Sequence, residues 1–355
     1  MLERNTIIVS DCLEGIRALP DRCIQCVVTS PPYFGLRDYG VAGQLGLEST
    51  PEEYIKKMVN VFREVKRVLA DDGTIWINIG DSYWGGKGKS GTGDYNYQHN
   101  RFKKGNTLSK GYAQASGGYG NVRPQDHKHQ LLKAKDLIGI PWMLAFALRE
   151  DGWWLREDII WYKKNCMPES VSDRCTRCHE YIFMLSKQAS YYYDADAIKT
   201  NLQLSSIERM KGGRDRAHKY SSGVWGQRPQ SLHKSMQKKQ ESYGPRHKGF
   251  NARWNRAIAN NTAPGKANRR SVWHISTRSF KEKHYATFPL QIPEMCIKAG
   301  SIEKDVILDP FMGAGTTALA AGLLSRDFIG FELNPEFVKI SEKRLRQKLG
   351  LFYQK

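Results

Sequence analysis

Residues 29 to 33 read Thr29-Ser30-Pro31-Pro32-Tyr33 and follow the apolar run Cys26-Val27-Val28. Proline fixes φ and carries no N–H, so Ser30 is driven toward an extended conformation and no donor follows the Pro31 carbonyl. The Ser30 hydroxyl and the Pro31 carbonyl thereby become two acceptors pointing the same way at the exit of a buried strand. An exocyclic amino group offers two N–H donors, and such a clamp could hold one while the Tyr33 ring stacks on the base that carries it. A proline-rich turn without chemistry is the plainer reading of Pro31-Pro32 alone.

A second motif lies near the other end, where Asp309-Pro310-Phe311-Met312-Gly313-Ala314-Gly315-Thr316-Thr317 follows Val306-Ile307-Leu308. A strand, a glycine turn and the small-residue helix from Ala318 to Leu324 let a cofactor approach the backbone and a helix N-terminus. Glu332 stands nineteen residues after Gly313, at the end of the apolar run Phe328-Ile329-Gly330-Phe331. An acidic side chain there suits a bidentate grip on ribose hydroxyls. The segment Gly313 to Ala318 also satisfies the loose dinucleotide fingerprint, so these residues alone leave a nicotinamide cofactor open. Only 37 residues follow Ala318, too few to finish a separate dinucleotide domain. Upstream strands must complete its sheet.

Together the two motifs resemble the S-adenosylmethionine-dependent DNA amino-methyltransferases, in the class that places its catalytic motif before its cofactor motif. The resemblance runs from about Asn5 to Lys348, interrupted by two variable stretches. It also takes in Phe331-Glu332-Leu333-Asn334-Pro335-Glu336-Phe337, His284-Tyr285-Ala286-Thr287-Phe288-Pro289, Ile159-Ile160-Trp161-Tyr162-Lys163-Lys164-Asn165 and His179-Glu180-Tyr181-Ile182-Phe183. It implies S-adenosylmethionine as cofactor, double-stranded DNA as partner and no metal. Ser30, Pro31, Pro32 and Tyr33 would form the catalytic clamp. Asp309, Phe311, Gly313, Gly315, Thr316 and Thr317 would shape the cofactor site, with Phe288 and Phe311 flanking the cofactor and Glu332 holding its ribose. Asp11 either sits near the cofactor adenine or caps the helix that follows it. Trp161 and Lys163 shape the edge of the site, and His179 and His284 are structural hydrogen-bonders rather than bases.

In that family Ser in the first place of the Pro-Pro-Tyr motif is more usual in enzymes methylating cytosine N4, and Asp in those methylating adenine N6. Cytosine is therefore the expected base, with adenine the alternative. An RNA or protein-glutamine methyltransferase and an inert nucleic-acid-binding protein are further alternatives; the intact Ser30, Pro31, Tyr33, Gly313, Gly315 and Glu332 speak against the last. No nuclease-like metal motif stands in the sequence, so any restriction endonuclease would be a separate chain. Whether the protein is a monomer or a homodimer is open.

The charge agrees with a nucleic-acid partner. The 355 residues carry a formal net charge of +19. Residues 199–283 hold 20 Lys/Arg against 4 Asp/Glu and residues 82–135 hold 10 against 2, leaving the remainder near −5. Basic charge segregated onto two segments points to a polyanion-facing surface rather than to general solubility. The seven cysteines are odd in number, no signal peptide is evident and no apolar run approaches 18 residues, so a reduced cytoplasmic location and no membrane association are expected. Cys23 and Cys26, and Cys175 and Cys178 beside His179, lie about 150 residues apart, too far for a zinc ribbon. Plain thiols are expected for both pairs.

The elements that must position these residues alternate. Strands are expected at Thr6 to Val9, Cys26 to Thr29 and Thr74 to Ile79. A helix from Thr50-Pro51 to about Leu69 begins with a capping box, and Asp71-Asp72-Gly73 ends it. Phe34 to Leu47 reads as a loop closing over the target. A helix from Leu137 to Leu148 capped by Asp136, antiparallel edge strands at Trp154 to Tyr162 and Tyr181 to Ser186, and a final helix opened by Asn334-Pro335 complete the pattern. The fold class expected is α/β: a doubly wound, mostly parallel, Rossmann-like methyltransferase sheet with permuted motif order, an antiparallel edge hairpin and basic insertions. The organisation reads as a catalytic half (1–81), a basic glycine-rich insertion (82–135), a continuation of the core (136–194), a basic target-recognition region (195–275) and a cofactor-binding half (276–355). Aromatics interleaved with Arg and Lys at Tyr220, Trp225, Tyr243, Phe250 and Trp254 suit phosphate contact with base stacking. Affinity for duplex DNA is accordingly expected to fall steeply with added salt, because each phosphate contact releases counterions. Titrations at rising ionic strength check this, and a flat response would contradict a basic DNA-facing surface.

Overall fold

The computed structural model describes residues 3–85, 128–201, 266–277 and 288–350. Most of the 82–135 insertion, the aromatic and basic stretch from Tyr220 to Trp254, and His284 lie outside the described residues. The chain divides into two compact units, Met1–Asp194 with Arg270–Lys355, and Ala195–Arg269. The boundary at Arg270 differs from the expected one at 275, because residues just after it are built into the main sheet.

That sheet comprises β1 (Thr6–Val9), β2 (Ile24–Thr29), β3 (Leu69–Ile79), β4 (Trp154–Tyr162), β5 (His179–Ser186), β8 (Val272–His274), β9 (Val306–Asp309) and β10 (Asp327–Glu332). In the second unit, β6 (Thr200–Asn201) pairs antiparallel with β7 (Lys266–Ala267). The order across the main sheet is β1-β10-β9-β2-β3-β5-β4-β8. From β1 to β3 every pairing is parallel, and β5 runs antiparallel to both β3 and β4. The β4–β5 hairpin is thus antiparallel as expected but not at the edge. β8 pairs parallel with β4 and covers it; a three-residue strand in a basic, polar stretch carries no periodicity that a sequence reading could detect.

Helices cover both faces. α1 (Cys12–Arg17), α2 (Pro51–Val68) and α3 (Ile140–Glu150) pack on one, where Ile16, Tyr54, Met58, Phe62 and Leu144 join Val27, Ile75 and Ile77. α4 (Gln291–Gly300), α5 (Thr316–Leu323) and α6 (Pro335–Leu349) pack together, and the end of α4 meets Cys26, Thr74 and Trp76 of the opposite face. α2 starts as its sequence dictates: Thr50 accepts the Glu53 N–H at 3.2 Å and Pro51 occupies the first turn. It then passes into β3 at Leu69 with no intervening turn, so Asp71-Asp72-Gly73 lies within the strand rather than before it. α3 starts at Ile140 and its cap is not Asp136. The Asp81 carboxylate accepts the N–H groups of Gly139 (3.0 Å) and Ile140 (3.2 Å) from across the chain, a partner that local sequence cannot reveal. The roots of the basic insertion are paired, Trp84 N–H to Asp136 O and Lys135 N–H to Trp84 O, both at 2.8 Å. The insertion therefore leaves and re-enters the core at adjacent points.

The two sequence motifs meet because β2 and β9 are neighbours, Val27 opposite Leu308. A buried carboxyl ties them further. Asp309, 1% exposed, accepts the hydroxyls of Thr29 (2.6 Å) and Thr317 (2.7 Å) and the Phe311 N–H (3.0 Å). Burial pushes the Asp309 carboxyl up from 3.8 to about 6, against the pull of these donors. A carboxyl raised on folding stabilises the native state in its protonated form. That contribution is complete below about 3.8 and is lost as pH rises through about 6. Urea unfolding across this window is expected to show wild type losing stability that Asp309→Asn does not lose, while Asp309→Ala, which strands the Thr29 hydroxyl and leaves Thr317 only the Val28 carbonyl, costs about 1–3 kcal/mol throughout.

Candidate active site

The C-terminal ends of the parallel strands and the facing ends of β4 and β5 open onto one cavity of about 590 Å³. Both motifs line it. On one side stand Ser30, Pro31, Pro32 and Tyr33 with Asn78, Trp161, Lys163 and Glu180. On the other stand Asp11, Phe288, Phe311, Gly313, Thr316 and Glu332. This is the C-terminal sheet edge where open α/β folds bind ligands.

The clamp is braced from behind. The Tyr54 hydroxyl, on α2, donates to the Pro32 carbonyl at 2.8 Å. The Tyr33 ring lies against Gly80, where a Cβ would come within 2.7 Å of Cε2, so only glycine lets the ring seat against the end of β3. Tyr33 is also held at its tip: its hydroxyl donates to Glu180 Oε2 at 2.6 Å and lies 3.3 Å from Asn78 Oδ1. Burial and the neighbouring Glu180 push the Tyr33 phenol well above its usual 10, so the group stays neutral. Glu180 in turn accepts from Asn78 Nδ2 at 3.1 Å and forms an ion pair with Lys163, whose ammonium also lies over the Trp161 ring.

The cofactor side has a different division of labour. Glu332 accepts the Gly313 N–H through Oε2 (2.8 Å) and the Asn334 N–H through Oε1 (2.9 Å), which fixes the carboxylate while leaving each oxygen a further lone pair for the cavity. Burial raises its carboxyl above the ordinary value. Asp11 accepts from the N–H groups of Leu13 (2.9 Å) and Glu14 (3.2 Å), so it caps α1 and also lines the cavity. The capping reading of that residue holds. Asp309, Gly315 and Thr317 do not reach the cavity wall. Asp309 and Thr317 form the buried tie between strands, and Gly315, at φ +74°, precedes α5 at a point where a Cβ would meet Ser341 Cβ at 2.8 Å. Thr316 lines the cavity and accepts from Arg344 at 2.9 Å.

The segment from Phe34 to Leu47 does lie along the cavity. Phe34 is buried beside Tyr54, Gly35 N–H bonds to Gly46 O at 2.7 Å, and Leu36, Arg37, Tyr39, Val41 and Leu45 face inward. Tyr39 meets Phe337 of α6 edge-on at 6.1 Å, so the loop spans from the clamp to the cofactor side. Asn78, Gly80, Tyr54 and Glu180 were not singled out by sequence reasoning. Asn78 left one signal, an amide in an otherwise apolar strand. Tyr54 reads as ordinary helix core. His179 lies edge-on to Tyr181, outside the cavity wall. In the connection between β4 and β5, Cys166 and Cys178 form a disulfide, Cα atoms 5.3 Å apart, where a free Cys178 thiol was expected. The pairing of Tyr162 with His179 brings the two cysteines together, a proximity that spacing in sequence conceals.

The N6/N4 DNA methylase family matches residues 24–343, most of the chain and both walls of the cavity. The protein belongs to this family. It is an S-adenosylmethionine-dependent DNA methyltransferase of the kind that modifies exocyclic amines. Among similar proteins, the Type II methyltransferase M.SmaI of Serratia marcescens is 40% identical over 343 residues, covering 96% of this chain and 91% of the relative. M.Cfr9I of Citrobacter freundii is 39% identical over 341 residues, covering 96% and 87%. The fold is shared with PvuII DNA methyltransferase (cytosine-N4-specific), at TM-score 0.56 and 17% identity over 99% of this chain and 92% of that one. It is shared too with a DNA modification methylase of Thermus thermophilus, solved with S-adenosyl-L-methionine, at TM-score 0.52 and 19% identity over 97% and 94%.

The residues present fit that cofactor. Glu332 keeps a lone pair on each oxygen that could accept ligand hydroxyls, Phe288 and Phe311 line the cavity, and α5 begins at Thr316 with no side chain capping its first N–H groups. Glu332→Ala is expected to weaken S-adenosylmethionine binding by about 1.5–3 kcal/mol, the range for hydrogen bonds to a charged group. Calorimetric titration checks this, and an unchanged Kd would remove Glu332 from the ribose site.

Proposed function

We propose that the chain is a Type II modification methyltransferase that methylates N4 of a cytosine flipped out of duplex DNA, and that any endonuclease cleaving the same sequence is a separate protein. Ser30 carries the reading of the base: a hydroxyl stands in the first place of the Pro-Pro-Tyr clamp, where the resemblance associates Asp with adenine. The names of the relatives M.SmaI and M.Cfr9I support the Type II assignment. Adenine N6 is the alternative product.

An exocyclic amine is a poor nucleophile because its lone pair is delocalised into the ring. The Ser30 hydroxyl and Pro31 carbonyl would accept its two N–H groups, favouring a more tetrahedral nitrogen and aiming its lone pair across the cavity. Tyr33, held by Gly80 on one side, would stack on the base with the other. Bound S-adenosylmethionine supplies an electrophilic methyl on its sulfonium. The 34–47 loop would exclude water from the cleft during transfer. A base inside a duplex cannot reach Ser30, so it must flip.

Incubation with duplex DNA and S-adenosylmethionine followed by nucleoside analysis is expected to yield N4-methylcytosine; N6-methyladenine would overturn the base assignment. Ser30→Ala is expected to lower single-turnover methyl transfer by about 10²–10³-fold, the scale of a lost electrostatic contact in a preorganised site, with the cofactor Kd little changed. Undiminished transfer would show that the clamp does not act through Ser30.

A further inference from the structure

We propose that Tyr39 is a positioning residue that latches the 34–47 loop to the cofactor wall through Phe337, so that cofactor and flipped base each tighten the binding of the other. The proposal rests on the reading of a base flipped into the clamp, whichever base it is.

At its root the loop belongs to the clamp. Phe34 follows Tyr33 directly and packs against Tyr54, the residue whose hydroxyl holds the Pro32 carbonyl. The returning end is pinned to the same place. Gly35 N–H bonds to Gly46 O at 2.7 Å, and at Gly46, with φ +97°, a Cβ would lie 3.0 Å from the Tyr33 carbonyl oxygen. Both the backbone angle and the close approach call for glycine. Glu48, its side chain 1% exposed, takes the Gly46 N–H at 2.8 Å and has the Lys57 ammonium of α2 3.2 Å from its other oxygen. The root is thereby fixed to the fold.

Further out, Gln44 braces the loop across itself: its side chain accepts the Tyr39 N–H at 2.7 Å and donates to the Arg37 carbonyl at 3.1 Å. Tyr39 is thus tied to its neighbours in the loop while its ring reaches α6. It meets Phe337 edge-on, with centroids 6.1 Å apart and planes at 89°. Both residues are half-buried and line the cavity. Beyond Phe337 the contacts lead to Glu332. Phe337 N–H bonds to Asn334 O at 3.0 Å, and Asn334 N–H bonds to Glu332 Oε1 at 2.9 Å.

A cofactor held on Glu332 steadies the start of α6, α6 presents Phe337, and Phe337 holds Tyr39 and the loop beside the clamp. An edge-to-face pair shifts an equilibrium only about fivefold, so it biases the loop without locking it. That suits a loop which must open for each base to enter and leave. Whatever ligand favours the closed loop from one site favours it for the other, and the effect is reciprocal.

A binding cycle without turnover tests the latch, using S-adenosylhomocysteine and a duplex whose target base has been mapped by sequencing methylated DNA. DNA affinity is measured without and with saturating S-adenosylhomocysteine, and the ratio of the two Kd values is the coupling factor. Wild type is expected to give about fivefold. Tyr39→Ala and Phe337→Ala should each bring the factor to about one, and Tyr39→Phe should keep it, because the ring makes the contact. A general loosening of either site alters the separate Kd values but not their ratio, so a merely structural loss does not imitate this result. A wild-type factor near one, a Tyr39→Ala protein that couples like wild type, or loss of coupling in Tyr39→Phe would each overturn the latch. A duplex abasic at the target position should not couple; if it couples as strongly as the intact duplex, the flipped-base reading falls while the latch is still judged by the Tyr39 variants.

Discussion

A single buried carboxyl ties together the two motifs that line the cavity. Asp309 closes β9, and its two oxygens accept hydroxyl protons from Thr29 at the end of β2 and Thr317 in α5. The clamp begins one residue after Thr29 and the glycine turn begins one residue after Asp309. Any slip between β2 and β9 would therefore displace the amine from the methyl donor by the same distance. Burial makes the tie strong and demanding, because in a dry core the carboxyl needs its donors and the Thr29 hydroxyl needs the carboxyl. The cofactor motif thus includes residues whose work is alignment, and they are separated from those facing the cavity by only a few positions.

The cavity is electrically divided. At the cofactor end, carboxylates are stabilised by backbone N–H groups, which suits hydroxyl-bearing ligands. At the clamp end, the Ser30 hydroxyl and the Pro31 carbonyl are neutral, and the Glu180 carboxylate that accepts from Tyr33 is paired with Lys163. The 34–47 loop and its Tyr39–Phe337 contact join the two ends, and the bracing of Tyr33 by Gly80 and of Pro32 by Tyr54 leaves the clamp little freedom to wander.

Legibility in the sequence followed the range of the interaction. Alternating apolar runs gave the parallel core, and Thr50-Pro51 and Asn334-Pro335 gave two helix starts, because capping is completed within a few residues. The start of α3 was misplaced because its cap, Asp81, acts from 58 residues away. β8 was missed because three residues in a polar stretch carry no pattern. The hairpin was found, but its place inside the sheet was not, since only β8 decides which strand is the edge.

The sequence by itself determined the chemistry. Ser30-Pro31-Pro32-Tyr33 and the Gly313 turn with Glu332 are contiguous or regularly spaced, and their covalent properties, a fixed φ, a missing N–H and a side-chain-free turn, act locally. The tertiary structure alone decided which members of those motifs face the cavity. Asp309, Gly315 and Thr317 turn away into the core, and Asn78, Gly80 and Glu180 join the clamp from other strands. Their roles depend on the order of strands in the sheet, a quantity carried by long-range packing and buried hydrogen bonds rather than by neighbours along the chain.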